Sequence, residues 1–318
     1  VRALQIESFG DALEVLSLVD AAEPGEPGPG EVLVSVQYSP LNVHDLHLIG
    51  GHLVPVPLPA VVGNEGLATV LSTGVGVSNV AAGDRVVLPL LSGAWRERLV
   101  LPAAGLFALP EGDPQQLSML GSNVPTAGLA LSEFVLLKPG DWVIQNAANG
   151  GVGRSLIALA HHRGLRTVNL VRRPDLADEL TAAGADLVLL DEPGVAAEIG
   201  SHLGDTEILL ALDSIRGQSA TNLIDALSPG ATIVSFGNAS GQAIDGDAAK
   251  AKDITLSDFF VGAFDNITHV VPVIHEAAPL VASGELHVPI AGVYDLADFR
   301  CAIAHLQRGG KVLLNVGG

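Results

Sequence analysis

The fold turns on the stretch Asp141-Trp142-Val143-Ile144-Gln145-Asn146-Ala147-Ala148-Asn149-Gly150-Gly151-Val152-Gly153, which runs into Arg154 to Arg163 and then Leu165-Arg166-Thr167-Val168-Asn169-Leu170-Val171-Arg172-Arg173. Trp142 to Ile144 is a short apolar run, as expected of a strand buried on both faces. Ala148-x-Gly150-x-x-Gly153 follows at once. It is the G-x-G-x-x-G dinucleotide pattern with alanine in the first glycine place. Gly150 lets backbone approach a pyrophosphate with no Cβ in the way, and Gly153 lets helix and strand pack closely. The helix that follows aims free N–H groups and the positive end of its dipole at the phosphates. A glycine turn before any βα helix can look the same. The strand–turn–helix–strand setting is what points to a dinucleotide.

The second strand bears on which dinucleotide. An NAD site places Asp or Glu about 20 residues beyond the glycines, to bond the ribose hydroxyls. Arg172 and Arg173 stand there instead. Arg154 to Arg173 holds five arginines and no Asp or Glu, within a chain of net charge −19. Two guanidinium groups suit a 2′-phosphate, and no carboxylate is present to repel it. Arg163 and Arg166 have a plainer use, complementing a helix C-terminus. The expected cofactor is NADPH.

At 318 residues the chain has room for two domains, and with 48% apolar residues it can build a sizeable core. The acidic balance argues against nucleic acid or a membrane surface as partner. Cys301 is the only cysteine, which excludes an intrachain disulfide and any multi-cysteine zinc site. No basic-plus-apolar leader is read from Val1 onward and no apolar run approaches a membrane span, so a soluble cytoplasmic protein is the expectation.

Along the chain, Val1 to Phe9 reads as a strand, and Ala12 to Val15 continues a β-rich start. Glu31 to Tyr38 is a strand with Val32, Val34 and Val36 on one side, broken by Ser39 to Asn42. Asn42 to Leu48 reads as one helical turn, Gly50 to Pro59 as a loop. Leu67 to Ser72, Gly83 to Leu88 and Ala94 to Leu101 supply further strands. The first ~110 residues thus read as a small β-barrel-like domain. Pro114 to Leu120 and Pro125 to Phe134 look helical. Beyond the glycine turn, Leu176 to Ala183 is a helix, Asp186 to Leu190 and Ile208 to Leu212 are strands, Gly217 to Leu227 is a helix, and Ala231 to Phe236 is a strand. That alternation predicts an α/β fold, a doubly wound parallel sheet. Leu256 to Phe264 reads as an edge strand, Val270 to Ala282 as a helix, Leu286 to Val288 as a strand and Leu296 to Gln307 as a helix. Lys311 to Val316 is a final strand expected to return to the first domain.

An N-terminal barrel, a central Rossmann unit and a returning strand together resemble the medium-chain dehydrogenase/reductase superfamily, with a GroES-like first domain. Four motifs look most like its trans-2-enoyl thioester reductases of the mitochondrial type. They are Asn42-x-x-Asp45, Leu58-Pro59-Ala60-Val61-x-Gly63-Asn64-Glu65-Gly66, Gln145 to Gly153, and Gly164 to Arg172. The related quinone oxidoreductases share the first only loosely. The resemblance implies a catalytic domain of residues 1–115 and 285–318 around a Rossmann domain of 116–284, and a homodimer through the edge near Leu256 to Val261.

The resemblance also assigns site residues. Asn123 faces the nicotinamide side, Asn149, Gly150, Gly151, Val152 and Gly153 hold the pyrophosphate, and Arg172 with Arg173 takes the 2′-phosphate. Phe236, Gly237, Asn238, Phe259, Phe260 and Val261 contact the nicotinamide half, and Lys311 closes the site. Core or interface packing explains Phe259 and Phe260 equally well, and a solvated surface explains Lys311. The zinc branch has cysteine where Asn42 stands and histidine where Asn64 stands. An Asn pair supplies no zinc ligands, so no metal is expected. His44 and His47 lie near the proton relay of that branch, with surface or packing roles as the alternative.

One departure matters. Enoyl thioester reductases carry a tyrosine in the loop matching Gly50 to Pro57, and here it reads Gly50-Gly51-His52-Leu53-Val54-Pro55. His52 is the nearest group able to give a proton near neutral pH; otherwise water does so. Asn42 or His52 would stabilise an enolate oxygen. The expected activity is metal-free, NADPH-dependent reduction of an activated C=C bond, in a 2-enoyl thioester or enone. The alternatives are quinone reduction and a non-enzymatic NADPH sensor or crystallin-like protein.

Overall fold

The computed structural model describes residues 1–53 and 56–317. It divides into two compact units. One comprises Val1–Ser122, Asp265–Gly284 and Val288–Gly318, the other Asn123–Phe264 and Glu285–His287.

The first unit opens with strands β1 (Arg2–Ile6), β2 (Leu16–Asp20), β3 (Glu31–Leu41), β4 (Ala60–Val61), β5 (Leu67–Thr73), β6 (Arg85–Val87) and β7 (Arg98–Pro102). β1 pairs with β2 and β4, and β3 pairs with β5 and β7, all antiparallel. Val32, Val34 and Val36 are fully buried on one face of β3, as their alternation predicts. Ala12–Val15 is a helical turn rather than a strand. Asp11 caps it by accepting a hydrogen bond from the Leu13 N–H at 2.8 Å. The expected strand Ala94 to Leu101 begins only at Arg98. Before it, fully buried Trp95 ties the chain to Val62, its N–H donating to the Val62 carbonyl. The helix after Asn42 runs Val43–Ile49, longer than the single turn expected. Within the Gly50 to Pro59 loop, Val54 and Pro55 lie outside the described residues.

The second unit is a sheet of β8 (Trp142–Gln145), β9 (Arg166–Val171), β10 (Leu187–Leu190), β11 (Ile208–Asp213), β12 (Thr232–Ser235) and β13 (Thr255–Asp258). All are parallel, in the order β10-β9-β8-β11-β12-β13. That is the dinucleotide-binding order, reversing between β8 and β11. Two of its helices escape the sequence pattern. Val195–Leu203 buries only Val195 and Ile199, and Gly246–Ala251 buries only Ala249. Val195–Leu203 does carry a short stripe, Val195, Ile199 and Leu203 at i, i+4 and i+8, whereas Gly246–Ala251 has none. The expected strand Leu256 to Phe264 stops at Asp258, and a 3-10 turn, Val261–Ala263, follows.

The chain then returns to the first unit. Residues 265–284, grouped by sequence with the dinucleotide domain, pack there: Phe107 stacks on His275 with ring centroids 3.4 Å apart. Leu286 to Val288 is not a strand. The next strands are β14 (Ile290–Asp295) and β15 (Lys311–Asn315), joined through the helix Phe299–Arg308. β15 lies parallel to β14 and antiparallel to β3, with Leu41, Pro40, Ser39 and Tyr38 opposite Val312 to Asn315. This pairing explains why β3 does not break at Ser39. Its partner there comes from the far end of the chain, which no local reading supplies.

Gly63 sets the turn that carries Asn64 and Glu65. Its φ is +105°, and a Cβ there would lie 2.5 Å from both the Trp95 backbone nitrogen and its Cδ1. Gly63→Ala combines left-handed strain with overpacking, so we expect a stability loss of roughly 3 kcal/mol by denaturant titration. An unchanged midpoint would contradict the close approach.

Candidate functional site

In the second unit, β8 ends in a turn whose shape the backbone dictates. Ala147 sits at φ +48° and the Gly150 N–H donates to the Ala147 carbonyl at 2.9 Å. The helix Gly151–His162 then starts, its first backbone bond running from Arg154 N–H to the Gly150 carbonyl. The N–H groups of Gly151, Val152 and Gly153 precede that bond and are the free donors of the helix start. A Cβ on Gly150 would meet only the Ala147 carbonyl oxygen, at 3.3 Å, while Asn149 and Gly150 are exposed. The approach to the turn is therefore open. Gly153 faces inward, where a Cβ would lie 2.5 Å from the Ala148 carbonyl oxygen. Asn123 lies against Gly151, its Nδ2 2.3 Å from where a Cβ would be.

Side chains that the sequence reading gave no role brace this turn. Gln145 Nε2 donates to the Gly153 carbonyl at 3.0 Å and to Asn169 Oδ1 at 2.8 Å. Arg154 is buried, bonding the Asn149 carbonyl at 3.1 Å and Glu179 at 2.7 Å. At the β8–β11 reversal, Asn146 donates to Asp213 at 2.6 Å and accepts from the Ser214 N–H at 2.9 Å. The signal was present: Gln145, Asn146 and Asn169 are polar residues inside apolar strand runs, which stay buried only when fully bonded.

Arg172 and Arg173 leave the end of β9 and are both exposed. Arg173 lies 3.9 Å from Asp175, an exposed pair too weak to compete with a phosphate. Arg163 and Arg166 are committed elsewhere, to the Gly128 carbonyl and to Asp186. Phe236 and Gly237 follow β12 directly, and Gly237 has no room for a Cβ, which would lie 2.7 Å from the Ser214 carbonyl oxygen. Asn238 is exposed. Phe259 is buried, in T-shaped contact with Phe134 and Phe264. Val261 is also buried, and Phe260 is half-buried between them.

The first unit holds a compact polar cluster. Lys311 Nζ donates to Asn42 Oδ1 at 2.6 Å, and Asn42 Nδ2 donates to Glu65 Oε1 at 2.7 Å. Asp45, on the helix Val43–Ile49, accepts from the Asn42 N–H at 2.8 Å and the Asn64 N–H at 3.1 Å. Asn64 Nδ2 bonds His44 Nε2, and Asn64 Oδ1 accepts from the Leu91 N–H. Asn42, Asp45, Asn64 and Glu65 are all buried, and Lys311 is half-buried. Glu65 Oε2 is buried with no hydrogen-bond partner among the described residues. His52 is exposed on its loop, its backbone N–H bonded to the His47 carbonyl.

Burial governs the acidities here. It raises Asp45 to about 7 against two backbone N–H bonds and the Lys311 charge. It raises Glu65 too, opposed by Lys311 and Asn42. It lowers the Lys311 ammonium, opposed by Glu65 and Asp45. His44 falls to about 4, so its ring is neutral near pH 7 and Nε2 is free to accept from Asn64.

Residues 28–145 match the family of the alcohol dehydrogenase GroES-like domain, and residues 151–276 that of the zinc-binding dehydrogenases. The mitochondrial enoyl-(acyl-carrier-protein) reductases of Rattus norvegicus and Homo sapiens are each 34% identical to the chain, over 95% of it and 84% of their own length. The chain belongs to the medium-chain dehydrogenase/reductase superfamily. The fold of the complex of the enoyl thioester reductase Etr1p with NADP and crotonyl-CoA matches at a TM-score of 0.88, with 23% identity and 99% of each chain covered. A mycobacterial quinone oxidoreductase matches at 0.83, with 27% identity over 99% of each chain.

The Asn42 and Asn64 amides are both used by neighbouring side chains. Among the described residues no three His, Cys, Asp or Glu side chains gather as a metal site. No helix among them is long and apolar enough to cross a membrane.

Two outcomes follow from this geometry. Arg172→Ala should weaken NADPH binding tenfold or more, about 1.4 kcal/mol, and leave NADH within about twofold by calorimetry; equal losses would refute a 2′-phosphate contact. Asp45 titrates near 3.8 when unfolded and about 7 when folded. Between those values the native state holds the extra proton, so its contribution to stability is present below pH 3.8 and is lost as pH rises toward 7. His44 acts in the opposite sense from pH 4 to 6.5. Comparing the wild type with Asp45→Asn therefore isolates Asp45: the wild type should lose stability relative to the variant across that window. Parallel curves would contradict a buried, strongly shifted carboxyl.

Proposed function

We propose that the chain is an NADPH-dependent reductase of 2-enoyl thioesters that works without a bound metal ion. What carries the acceptor class is the amide network at Asn42 and Asn64. It offers hydrogen-bond donors and an ammonium where a metal would otherwise polarise a carbonyl. A C=C bond conjugated to a carbonyl needs no stronger activation than that, because charge is delocalised onto the oxygen as it develops. The likeness to the mitochondrial enoyl reductases, over 95% of the chain and 84% of their length, supports the same acceptor.

NADPH, when bound, supplies a hydride from its nicotinamide C4 to the β-carbon. The open approach at Gly150 and the free N–H groups of Gly151 to Gly153 fit its pyrophosphate, with Asn149 at the mouth of the turn. Arg172 and Arg173 fit its 2′-phosphate. Asn123, at Gly151, and the strand ends at Phe236 to Asn238 and Phe259 to Val261 complete the cofactor side. Phe259 serves there through packing, its ring in T-shaped contact with Phe134 and Phe264.

Quinone reduction is the competing reading. Both tyrosines lie outside the loop where enoyl reductases keep theirs: Tyr38 is in β3, and Tyr294 is bonded to His305 at 2.9 Å. A quinone demands less exact proton delivery. We also infer a cytoplasmic homodimer joined along β13, whose outer edge offers unpaired backbone groups and a Leu256 that is 40% exposed.

The test is NADPH oxidation with crotonyl-CoA, an enone, a quinone and no acceptor. Crotonyl-CoA turnover is expected. Quinone-only turnover would favour the second reading, and NADPH binding without any turnover would favour a sensor.

A further inference from the structure

We propose that Arg216 is a positioning residue for the nicotinamide half of the cofactor, latching the ends of β12 and β13 from the loop after β11. The proposal rests on the NADPH reading above. It is carried by a strained backbone that is held in place at the carboxyl ends of the sheet.

Arg216 has φ +65° and ψ −165°. That region is essentially reserved for glycine, because a Cβ crowds the flanking peptide groups there. An arginine stays in it only where its neighbours over-determine it. The fully buried Asp213 carboxylate is one such neighbour. Its Oδ1 accepts from the Arg216 N–H at 2.9 Å, from the Ile215 N–H at 3.0 Å and from the Asn146 amide at 2.6 Å. The guanidinium completes the hold. Its Nε donates to the Gly237 carbonyl at 3.1 Å, and Nη2 donates to Asp258 Oδ1 at 2.6 Å. Two backbone bonds join the same loops, from the Ala239 N–H to the Ser214 carbonyl and from the Ser240 N–H to the Ile215 carbonyl.

The position decides the role. In a sheet of this strand order the ligand lies at the carboxyl ends, across the reversal. Arg172 and Arg173 follow β9 on one side of it, and the glycine turn follows β8. A dinucleotide whose 2′-phosphate meets that pair sends its other half toward β11, β12 and β13. Those are the ends that Arg216 ties together. It follows Asp213, the last residue of β11, and it holds Gly237, just past β12, and Asp258, the last residue of β13. Asp258 is 82% exposed, so the ion pair itself stabilises the fold little. Strain that returns little stability is characteristic of ligand sites, where it presets the geometry and spares the ligand the cost of ordering loops.

The experiment measures binding of NADPH and of adenosine 2′,5′-bisphosphate by calorimetry, with the urea midpoint, for the full chain as wild type, Arg216→Ala and Arg216→Gly. The bisphosphate carries the 2′-phosphate and a 5′-phosphate but no nicotinamide half. Both variants should lose about tenfold in NADPH affinity, the worth of a bond from a charged donor. Both should keep the bisphosphate within about twofold of wild type, which also shows that they fold. Arg216→Gly removes strain and latch together, whereas Arg216→Ala keeps the strain without the latch, so the glycine variant should have the higher midpoint of the two. Unchanged NADPH affinity in both variants would overturn the proposal. So would equal losses for the two ligands, which mark a general role in the fold, or a glycine variant no more stable than the alanine one. A wild type that binds neither ligand refutes the NADPH reading and this role together; a wild type and variants that all bind both ligands equally well refute only the role.

Discussion

The pairing of β15 with β3 is the constraint on which the first unit depends. It brings Lys311 onto Asn42 from 269 residues away. Without it, β3 would have no partner beyond Tyr38, and the buried Asn42 amide, which bonds Glu65, would lose its bond from the Lys311 ammonium. Lys311 acts on Glu65 through the Asn42 amide rather than in direct contact, and its charge opposes the effect of burial on that carboxyl. The strand therefore closes the sheet and brings the ammonium to the cluster at once.

The second unit holds its buried polar groups by hydrogen bonds. Gln145, Asn146, Asn169 and Asp213 sit inside a sheet that is otherwise apolar, and each is bonded to a neighbouring strand end or helix start. They fix the strand ends from which the glycine turn departs. Arg154 and Gln145 hold carbonyls on either side of the turn, so its N–H groups are set before any ligand arrives. Preorganised donors of this kind stabilise an anion without reorganising.

Much of this was legible in the residues. Period-two alternation marked β3, and the apolar run before Gly150 marked β8, because both patterns report burial directly. The arginine pair at Arg172 and Arg173 stood out against an acidic chain. What escaped has a common cause. Ala12 to Val15 reads as strand by composition, but Asp11 caps a helical turn. Leu286 to Val288 is apolar yet has no strand to pair with. The helix at Gly246 buries too few residues to show a period, and the stripe Val195, Ile199, Leu203 spans only nine residues. Glu65 and Asp45 look like ordinary acids in sequence, and only their burial beside Lys311 reveals a shared cluster. The brace formed by Arg154 was hidden by its membership in a run of arginines.

The central claim is that the glycine turn with its arginine pair receives NADPH. Calorimetric titration of the unaltered chain with NADPH and with NADH, at two salt concentrations, tests it most directly. NADPH should bind at least tenfold more tightly than NADH, and the advantage should shrink as salt rises. Equal affinity for the two, or no binding of either, would contradict it.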